Sequence, residues 1–474
     1  MKRFLSSLLA VTLSVSMLAA CAKKGETSTE SSQNSSTPAG SSSTNLTPSK
    51  ATEVVFWHSM TGDSQKALEK GVEDYNNGVG KEKKITVTPI FQGAYDEAAT
   101  KLSAAIQAGS QKELPDIMQL SSKGIFDVKD SKYIIPVQNM VDIDPKGIDK
   151  EALNPNALQY AMYKNKMLGL PFSNSSIMIY YNKDHFKAAG LNPEAPPKTI
   201  DELATAVKAL TVKKGDKIER YGIGIKLRFF LLGTWIPMQG KDKYIFNEDD
   251  GRTGTPTKVT MTSDGTLKTL LTEWDKVLKT GGVEYGDASP MAGFKSGLYS
   301  IMPAATSSMA AVTTQIVDPG LFNVGFAELP RVNKDSTTGT GIGGSAIYLF
   351  NRGNEDSKLG AWDYMKYLAT PEASAQWFMK TGYYPLNMKA ADLPVIQELL
   401  KAKPQFQLPL TIVKNSAKYP KYLEPWVPSF TDVDNIIQDE IIKFSSGKQN
   451  MDTTIANIDS LSKKKIDDWI NANK

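Results

Sequence analysis

The chain has 474 residues with 55 Lys or Arg against 51 Asp or Glu, a formal net charge of +4. Its basic residues are spread along the chain, so it lacks the clustered positive excess of a nucleic-acid-binding protein. One cysteine and two histidines exclude a disulfide framework and argue against a histidine-rich zinc site. Even without a leader and a linker, enough residues remain for two domain-sized cores.

The first twenty residues have the organisation of a secretory signal peptide. The basic pair Lys2-Arg3 precedes an apolar stretch over residues 4–20. Residues 18–21, with the sequence LAAC, resemble the lipobox of bacterial lipoproteins, whose thiol receives a diacylglycerol before cleavage. An ordinary signal peptide with an incidental cysteine is the alternative. We predict a signal peptide at residues 1–20 and lipidation of Cys21.

A polar tether follows this leader. Residues 22–50 contain fourteen Ser or Thr in twenty-nine positions, and Leu46 is their only large apolar side chain. Such a segment buries too little apolar surface to offset the entropy lost on ordering. We therefore predict that residues 21–50 comprise the lipidated Cys21 and a flexible linker spanning roughly 30 Å.

Strand and helix patterns alternate in the region that follows. The pattern predicts strands at 54–57, 85–90 and 116–120, with helices near 64–75 and 96–108 between them. A second region begins with a strand at 177–181 and includes helices near 200–210 and 267–279, strands at 299–302, 323–326 and 346–350, a helix pair near 359–379 and a helical tail from about 395. Strands alternating with helices favour βαβ units around parallel sheets.

Polar side chains at strand ends are the first candidate site residues. His58 and Ser59 end the first strand, and ligands of open α/β sheets collect outside the carboxyl ends of strands. A histidine that only satisfies a loop carbonyl is an equally open interpretation. Ser173-Asn174-Ser175-Ser176 has the composition of a hinge or a simple turn.

Aromatic clusters are the second group of candidates. Tyr383 lies on the rigid turn of residues 382–385, where an aromatic face can stack on a sugar. Arg228-Phe229-Phe230 and Trp235 suggest an aromatic wall. Core packing is the alternative for each of these residues.

Catalytic motifs are weak throughout the chain. Residues 339–344 match G-x-G-x-x-G, but a strand follows where a dinucleotide site begins a helix. Residues 380–382 match K-T-G, yet each S-x-x-K match lies after them. The acidic loop at 247–251 lacks the ligand spacing of an EF-hand. The two carboxylates of a glycosidase can be distant in sequence, so glycosidase chemistry stays open as an alternative. We expect a protein that is not an enzyme and has no cofactor and no metal.

Several stretches in a fixed order resemble the extracellular solute-binding proteins of ABC importers, specifically the carbohydrate-binding group with the maltose- and glycerol-3-phosphate-binding proteins. The matching stretches are residues 56–60, 171–176, 180–184, 189–191 with 196–199, 342–345 and 380–385. The resemblance covers nearly the whole exported chain, from residue 53 to about residue 470.

This resemblance implies an α/β fold built as a two-lobed clamp of the type II periplasmic-binding-protein kind, with mainly parallel sheets flanked by helices. Three hinge crossovers are expected near Phe172, Pro330 and Leu386. They place residues 51–172 and 331–386 in lobe 1, and residues 173–330 and 387–474 in lobe 2. Such clamps close around a ligand by hinge motion.

The resemblance also implies ligand-binding positions. Tyr95 and Asp96 match a pair that holds ligand hydroxyls, and Phe229 lies near a stacking tryptophan of the family. The other positions that line the family's cleft are Asn174, Ser175, Ser307, Ser308, Gly343, Gly344 and Tyr383.

One departure from the resemblance bears on the ligand. The glycerol-3-phosphate group carries a late arginine for phosphate, a task that guanidinium geometry favours. Here residues 423–429 read LEPWVPS, and no arginine follows Arg352. Trp426 is expected to face the ligand instead, which favours a neutral sugar over a phosphate ester. Arg228 as a substitute cation keeps the phosphate alternative open.

The sequence therefore predicts a lipid-anchored, monomeric substrate-binding protein that captures a neutral sugar or oligosaccharide and delivers it to the transmembrane subunits of an ABC permease. We expect it on the outer face of the cell membrane, or in the periplasm if the cell has an outer membrane, with no nucleic-acid partner. The alternatives are a glycerol-3-phosphate- or glycerophosphodiester-binding protein and, in another class, a surface glycan hydrolase.

Overall fold

The computed structural model describes residues 46–240, 242–285, 290–337, 340–416 and 423–473. The predicted signal peptide and Cys21 lie outside these residues. Within them, no helix has both the length and the apolar character needed to cross a membrane.

Fifteen strands occur in the described part of the chain. In chain order they are β1 (Thr52–His58), β2 (Ile85–Phe91), β3 (Ile117–Ser121), β4 (Ile134–Ile135), β5 (Met162–Tyr163), β6 (Lys166–Met167), β7 (Leu170–Pro171), β8 (Ser175–Asn182), β9 (Val212–Lys214), β10 (Lys217–Gly224), β11 (Val283–Glu284), β12 (Tyr299–Ala305), β13 (Val324–Glu328), β14 (Ile342–Gly343) and β15 (Ser345–Phe350). They form two large sheets and the small hairpin β5-β6.

Helices flank both sheets. They are α1 (Gly62–Asn77), α2 (Val79–Lys83), α3 (Tyr95–Ala108), α4 (Ser122–Val128), α5 (Val137–Ile143), α6 (Pro155–Tyr160), α7 (Lys183–Ala188), α8 (Ile200–Leu210), α9 (Phe229–Trp235), α10 (Thr260–Ser263), α11 (Thr266–Leu278), α12 (Pro290–Lys295), α13 (Met309–Val312), α14 (Glu355–Leu368), α15 (Pro371–Thr381), α16 (Pro394–Ala402), α17 (Gln407–Ser416), α18 (Phe430–Ser445) and α19 (Met451–Ala472). The segment Asn247–Gly251 is a left-handed turn, with positive φ at three successive acidic residues.

The first sheet has the order β2-β1-β3-β15-β4, with β7 also paired to β15, and the second has the order β11-β10-β12-β8-β13, with β14 on β8 and β9 on β10. β1 runs parallel to β2 and β3, and β10 runs parallel to β11 and β12. β15 is antiparallel to its three partners, and so is β8. Both sheets are therefore mixed, which corrects the prediction of mainly parallel sheets.

The reason for the mixed sheets lies in the chain path. β8 and β15 each begin where the chain enters a sheet from the other lobe. β15 starts at this entry point, whereas β1 and β3 end there. Ser345, the first residue of β15, therefore pairs with Ser121, the last residue of β3, and the two strands are antiparallel. The alternation of strands and helices in the sequence does not reveal that a strand enters its sheet from the other lobe.

Residues of the central strands alternate between two cores on opposite sides of each sheet. In β15, Ile347 and Leu349 pack in one core with Val54, while Tyr348 and Phe350 pack in the other. β3, β8 and β15 are buried over their whole length. Burial on both faces explains why these segments are continuous apolar runs rather than alternating ones.

The first two passages between the sheets are short. β7 belongs to the first sheet and β8 to the second, so the chain crosses at residues 172–174. β14 pairs with β8, whereas β15 pairs with β3, so the next passage is at Gly344. The crossing expected near Pro330 is corrected, because Arg331 N bonds Lys198 O and Val332 lies in the core of the second sheet.

The third passage runs alongside the first. Tyr384 N donates to Asn174 O at 2.9 Å, and Asn154 N donates to Leu386 O at 2.9 Å. The Asn174 amide also reaches Gly343 O at 3.4 Å. The three passages therefore meet around Asn174, where the two sheets approach each other.

The end of the predicted linker is attached to the fold. Leu46 packs against the first core, and Ser49 N donates to Asp356 Oδ1 at 2.6 Å. Lys50 lies 3.9 Å from the same carboxylate. Residues 46–50 thus depart from the predicted flexible linker, because the one large apolar side chain of the segment finds a core to enter.

Candidate functional site

A buried amide gathers the polar groups at the passages. Gln119 Nε2 lies 3.2 Å from Tyr95 Oη, 2.9 Å from Ser173 Oγ and 2.8 Å from Ser345 Oγ. Its Oε1 accepts a hydrogen bond from Ser59 N at 3.0 Å. The sequence analysis missed Gln119, although a glutamine inside the otherwise apolar strand β3 is the signal that could have found it.

Two tyrosines stand next to this amide. Tyr95 begins α3 and Tyr383 follows α15, and both keep part of their side chains accessible. Burial raises the pKa of both phenols, and the proximity of Tyr383 raises the pKa of Tyr95 further. Ser307 hydrogen-bonds Tyr383. The two tyrosines, predicted from separate motifs, therefore lie together.

Helix ends set the position of Tyr383. Thr370 caps the start of α15, Pro371 occupies its first position, and Gly382 ends it with φ +76°. The chain then turns so that the Tyr383 ring stacks on Trp377 at 5.6 Å and 7°. Trp377 in turn stacks on Phe172 of the first passage at 4.7 Å. Tyr383 is thus a rigid aromatic platform.

The glycines of the second passage permit close approach of the backbone. A Cβ on Gly343 would lie 2.8 Å from the Phe230 ring, and a Cβ on Gly344 would lie 2.0 Å from Ser173 O. Gly344 also has φ +123°, a conformation that other residues rarely adopt. Because they lack a Cβ, these glycines let the backbone of the second passage pack directly against Phe230 and Ser173.

Glu424 completes the group and was not predicted. Its Oε2 lies 3.5 Å from the point that a Gly343 Cβ would occupy, and Ser122 hydrogen-bonds its carboxylate. Burial, followed by the charge of Asp434, raises the pKa of Glu424 to about 7. We call Tyr95, Phe230, Gly343, Tyr383 and Glu424 the recess.

Charged side chains surround the recess. Lys123 Nζ lies 2.9 Å from Asp96 Oδ2, and Thr431 donates to Asp96 Oδ1 at 2.8 Å. On the other side, Asp434 Oδ1 accepts from Phe229 N at 2.9 Å. Burial raises the pKa of Asp434, and the positive charge of Arg228 partly opposes that shift. Asp96 and Arg228, both predicted site residues, therefore belong to this charged rim.

The other polar predictions lie in or near the passages; Asn174, Ser175 and Ser59 have buried side chains, and Ser308 is partly exposed. Asn174 acts through its backbone and amide, and Ser175 pairs with Gly343 in the second sheet. Ser308 follows Ser307 in the short helix Thr306–Ser308 beside the recess. Ser59 contributes its backbone N–H to the Gln119 amide.

His58 does not face a cleft. It is 1% exposed, and its ring packs between Phe56 at 6.0 Å and Phe91 at 5.9 Å. Burial lowers the pKa of His58, which keeps the imidazole neutral. The prediction of a ligand-binding His58 is corrected, because the alternation of β1 turns this side chain into the core.

The predicted aromatic wall is corrected at two of its three rings. Phe229 packs against Phe246 and Phe430, and Trp235 donates its Nε1 to Pro330 O at 2.8 Å. Both are enclosed by the second core. Of the three predicted rings, Phe230 is the one that faces the recess.

Trp426 is enclosed as well, with no exposed surface. The ring centroids of Trp426 and Tyr163 lie 6.1 Å apart, and the Arg252 guanidinium carbon lies 5.1 Å from the centroid of the Trp426 ring. The segment therefore turns Glu424 toward the recess and Trp426 away from it. No group of three or more metal-ligating side chains occurs in the part of the chain described here.

A family model described as bacterial extracellular solute-binding protein matches residues 71–407. The chain belongs to this family. A similar curated protein is the sn-glycerol-3-phosphate-binding periplasmic protein UgpB of Yersinia pseudotuberculosis serotype I (strain IP32953), which is 24% identical over 415 residues, 86% of this chain and 90% of that protein.

Solved structures of the same architecture are similar to this solute-binding protein. UgpB from Mycobacterium tuberculosis in complex with glycerophosphocholine has a TM-score of 0.70 at 19% identity, covering 89% of this chain and 99% of that one. The cyclic alpha-maltosyl-1,6-maltose binding protein from Arthrobacter globiformis has a TM-score of 0.69 at 19% identity, covering 88% and 99%. The predicted two-lobed α/β clamp is thereby confirmed.

Proposed function

We propose that this solute-binding protein captures a neutral sugar or oligosaccharide outside the cell and delivers it to the permease of an ABC importer. Proteins of the same fold are named for a cyclic maltosyl-maltose and for sugar binding. The Tyr383 platform provides a face for a sugar ring, and the Gln119 amide and the surrounding hydroxyls provide polar partners for its hydroxyls.

The charge arrangement around the recess is the observation that carries this proposal. Lys123 is paired with Asp96, and Arg228 faces Asp434. Arg252 donates to the carbonyls of Asp250 and Glu424 from a buried position. Lys123 and Arg252 are thus committed to protein acceptors, which a phosphate would have to displace, whereas the buried Arg228 Nε has no hydrogen-bond partner among the described residues.

The mechanism is binding followed by closure. The strands place connections between the lobes at residues 172–174 and at Gly344, and residues 382–387 run alongside the first of them, so rotation about these passages would open and close the cleft. A ligand that contacts both lobes favours the closed form by its differential affinity for the two forms. The permease then recognises the closed shape, and the protein itself performs no covalent chemistry.

Phosphate-containing ligands are the second candidate. The curated relatives with 24–27% identity are named sn-glycerol-3-phosphate-binding proteins, and one structural neighbour holds glycerophosphocholine. For such a ligand Lys123 would exchange Asp96 for phosphate, and Arg228 would contribute its Nε, which has no hydrogen-bond partner among the described residues. A glycan hydrolase is the remaining alternative, since Glu424 and Asp434 bring two carboxylates together.

Attachment to the membrane is part of the proposal. A diacylglycerol on Cys21 and the polar segment after it would tether a monomeric receptor beside its permease. One acyl chain holds a protein only marginally, so the several chains of a lipoprotein are what make the attachment durable.

A panel of purified probes tests the function. Melting of the exported domain is measured with maltotriose, mannobiose, D-tagatose, glycerol-3-phosphate and glycerophosphocholine. A neutral probe at a hundred times its Kd should stabilise the fold by about 2.7 kcal/mol. If only the phosphate probes raise the Tm, the neutral-sugar proposal is wrong. Release of cleaved oligosaccharide, followed by chromatography, would instead indicate a hydrolase.

A further inference from the structure

The backbone around Glu424 is held on both sides. Glu424 N donates to Ile342 O at 3.0 Å, and Arg252 Nη2 donates to Glu424 O at 2.8 Å. Leu423, one residue earlier, forms a parallel bridge with Ile342. The direction of the Glu424 side chain is therefore set by the fold before any ligand arrives.

The carboxylate lies beside the backbone of Gly343, where the Phe230 ring also approaches closely. Its Oε2 and the Phe230 ring both lie next to the position of a Gly343 Cβ, at 3.5 Å and 2.8 Å. Tyr95 is close enough for the Glu424 charge to raise the pKa of its phenol, after the larger effect of burial. Glu424 thus shares the recess with two aromatic rings.

The nearby cations do not neutralise this carboxylate by direct pairing. Lys123 is engaged with Asp96, and Arg252 bonds backbone carbonyls. Asp434 adds a second negative charge beside it. Ser122 provides a hydrogen bond, so acceptor capacity for further donors remains on the two oxygens.

We propose that Glu424 is the specificity-determining residue of this receptor, accepting hydrogen bonds from two neighbouring ligand hydroxyls and excluding phosphate esters. The inference rests on the proposed function. A carboxylate offers two coplanar acceptors, a spacing that suits vicinal hydroxyls, and hydrogen bonds to a charged acceptor are stronger than those between neutral groups. A phosphate placed at the same oxygens would meet like charge in a water-poor recess.

The raised pKa of Glu424 in the ligand-free receptor agrees with this role. A buried carboxylate without enough donors is expensive to ionise, and burial with the Asp434 charge brings its pKa to about 7. Ligand hydroxyls would supply the missing donors. Binding should therefore favour the ionised form and lower the pKa of Glu424 in the complex.

Calorimetric titration of Glu424→Gln tests the proposal. The probe is the neutral sugar that gives the largest Tm shift with the wild-type protein, and glycerol-3-phosphate is titrated in parallel. Loss of the charged acceptor should weaken sugar binding about 10- to 100-fold, while glycerol-3-phosphate binding becomes tighter. Glu273→Gln is the matched control, since Glu273 is a partly buried glutamate on α11 that is paired with Lys276. It should leave both affinities unchanged.

Glu424→Asp keeps the charge but moves it back by one methylene. It should weaken sugar binding while phosphate stays excluded, and it keeps the test valid if the glutamine variant does not fold. Unchanged sugar affinity in both variants would overturn the role of Glu424 and leave the sugar-receptor function standing. A wild-type protein that binds glycerol-3-phosphate and no neutral probe would overturn the proposed function itself.

Discussion

Thr431 donates a hydrogen bond to Asp96 across the cleft, with 2.8 Å between Thr431 Oγ1 and Asp96 Oδ1. Asp96 lies in the first turn of α3 in the first lobe, and Thr431 lies in the first turn of α18, which packs on the second sheet. The other oxygen of Asp96 is held by Lys123. A residue that the family resemblance assigns to ligand hydroxyls thus also joins the lobes.

Removing this bond should shift the receptor toward its open form. Thr431→Val keeps the size of the side chain and deletes the donor. An exposed hydrogen bond to a charged group contributes about 1 kcal/mol or less after solvent screening. We expect the Kd for the neutral probe to rise about two- to fivefold, measured by calorimetry, and the radius of gyration of the free protein to increase in X-ray scattering.

Thr411→Val is the control for that change, because the Thr411 hydroxyl bonds only Gln407 O within α17. The control should alter neither the Kd nor the radius of gyration. A Thr431→Val protein as compact as the wild type would show that the Asp96 contact does not affect closure.

A second contact between the lobes lies at the end of α19. The Trp469 ring meets Phe126 of α4 at 5.4 Å in an edge-on arrangement, and Trp469 hydrogen-bonds Asp127. Because aromatic pairs contribute about 0.5–1.5 kcal/mol, Trp469→Leu should favour the open form and weaken binding about two- to tenfold. Leu461→Ala, on the exposed side of the same helix, is the control. Equal affinities for both variants would contradict this role of Trp469.

The elements of the fold were largely predictable, but their directions were not. Short continuous apolar runs such as residues 54–57 and 346–350 predict strands, because a strand covered on both faces of its sheet is apolar at successive positions. The same pattern carries no information on whether a strand enters from a hinge, so the antiparallel placement of β8 and β15 was missed. Position along the chain likewise does not reveal that residues 331–337 and 340–343 stay with the second sheet.

The site was predictable where backbone chemistry determines it. A glycine followed by tyrosines after a helix places Tyr383 by a known helix ending, and the Gly343-Gly344 pair reports close approach of the backbone. Side-chain direction in short segments is another matter. Phe229 and Phe230 are consecutive residues of a seven-residue helix, and Glu424 and Trp426 lie two residues apart in an irregular segment. Which residue of each pair faces the recess is determined by tertiary packing, which the local sequence does not reveal.

Trp377 should support binding without touching the ligand. It lies flat between Tyr383 and Phe172, and Trp377→Leu removes the surface against which the tyrosine is held. We expect the Kd for the neutral probe to rise about three- to tenfold by calorimetry. Tyr367→Leu is the control, since Tyr367 stacks on Tyr364 in the same lobe but does not contact Tyr383. Similar losses of affinity in both variants would indicate a general loss of stability.

Asp250 should make the fold less stable as the pH rises. Its carboxyl is 2% exposed, Oδ1 accepts from Phe246 N at 2.6 Å, and burial raises its pKa to about 7. Between the unfolded value of about 4 and this value, the folded state binds the additional proton, so the free energy of unfolding falls as pH increases through that window. Glu424 contributes with the same sign.

Asp250→Asn removes this titration while an amide oxygen keeps the Phe246 bond. The free energy of unfolding at pH 8 should increase by about 1–3 kcal/mol relative to the wild type, and the difference should disappear near pH 4. Urea denaturation at pH 4, 6 and 8 measures it. Asp242→Asn changes an exposed aspartate and should have no such effect. A constant difference between Asp250→Asn and wild type at every pH would contradict this explanation.

Cys21→Ser should separate attachment from binding. The recess is formed by residues from Tyr95 onward, and Leu46 and Ser49 at the end of the polar segment already contact the first lobe. The variant should therefore leave the membrane fraction and appear in the medium or periplasm, with an unchanged Kd for the neutral probe. Fractionation followed by calorimetry measures both properties, and Thr27→Ala in the same segment should stay with the membrane. A Cys21→Ser protein that remains in the membrane fraction would refute the lipid anchor, whereas a released protein without affinity would refute the independence of anchor and clamp.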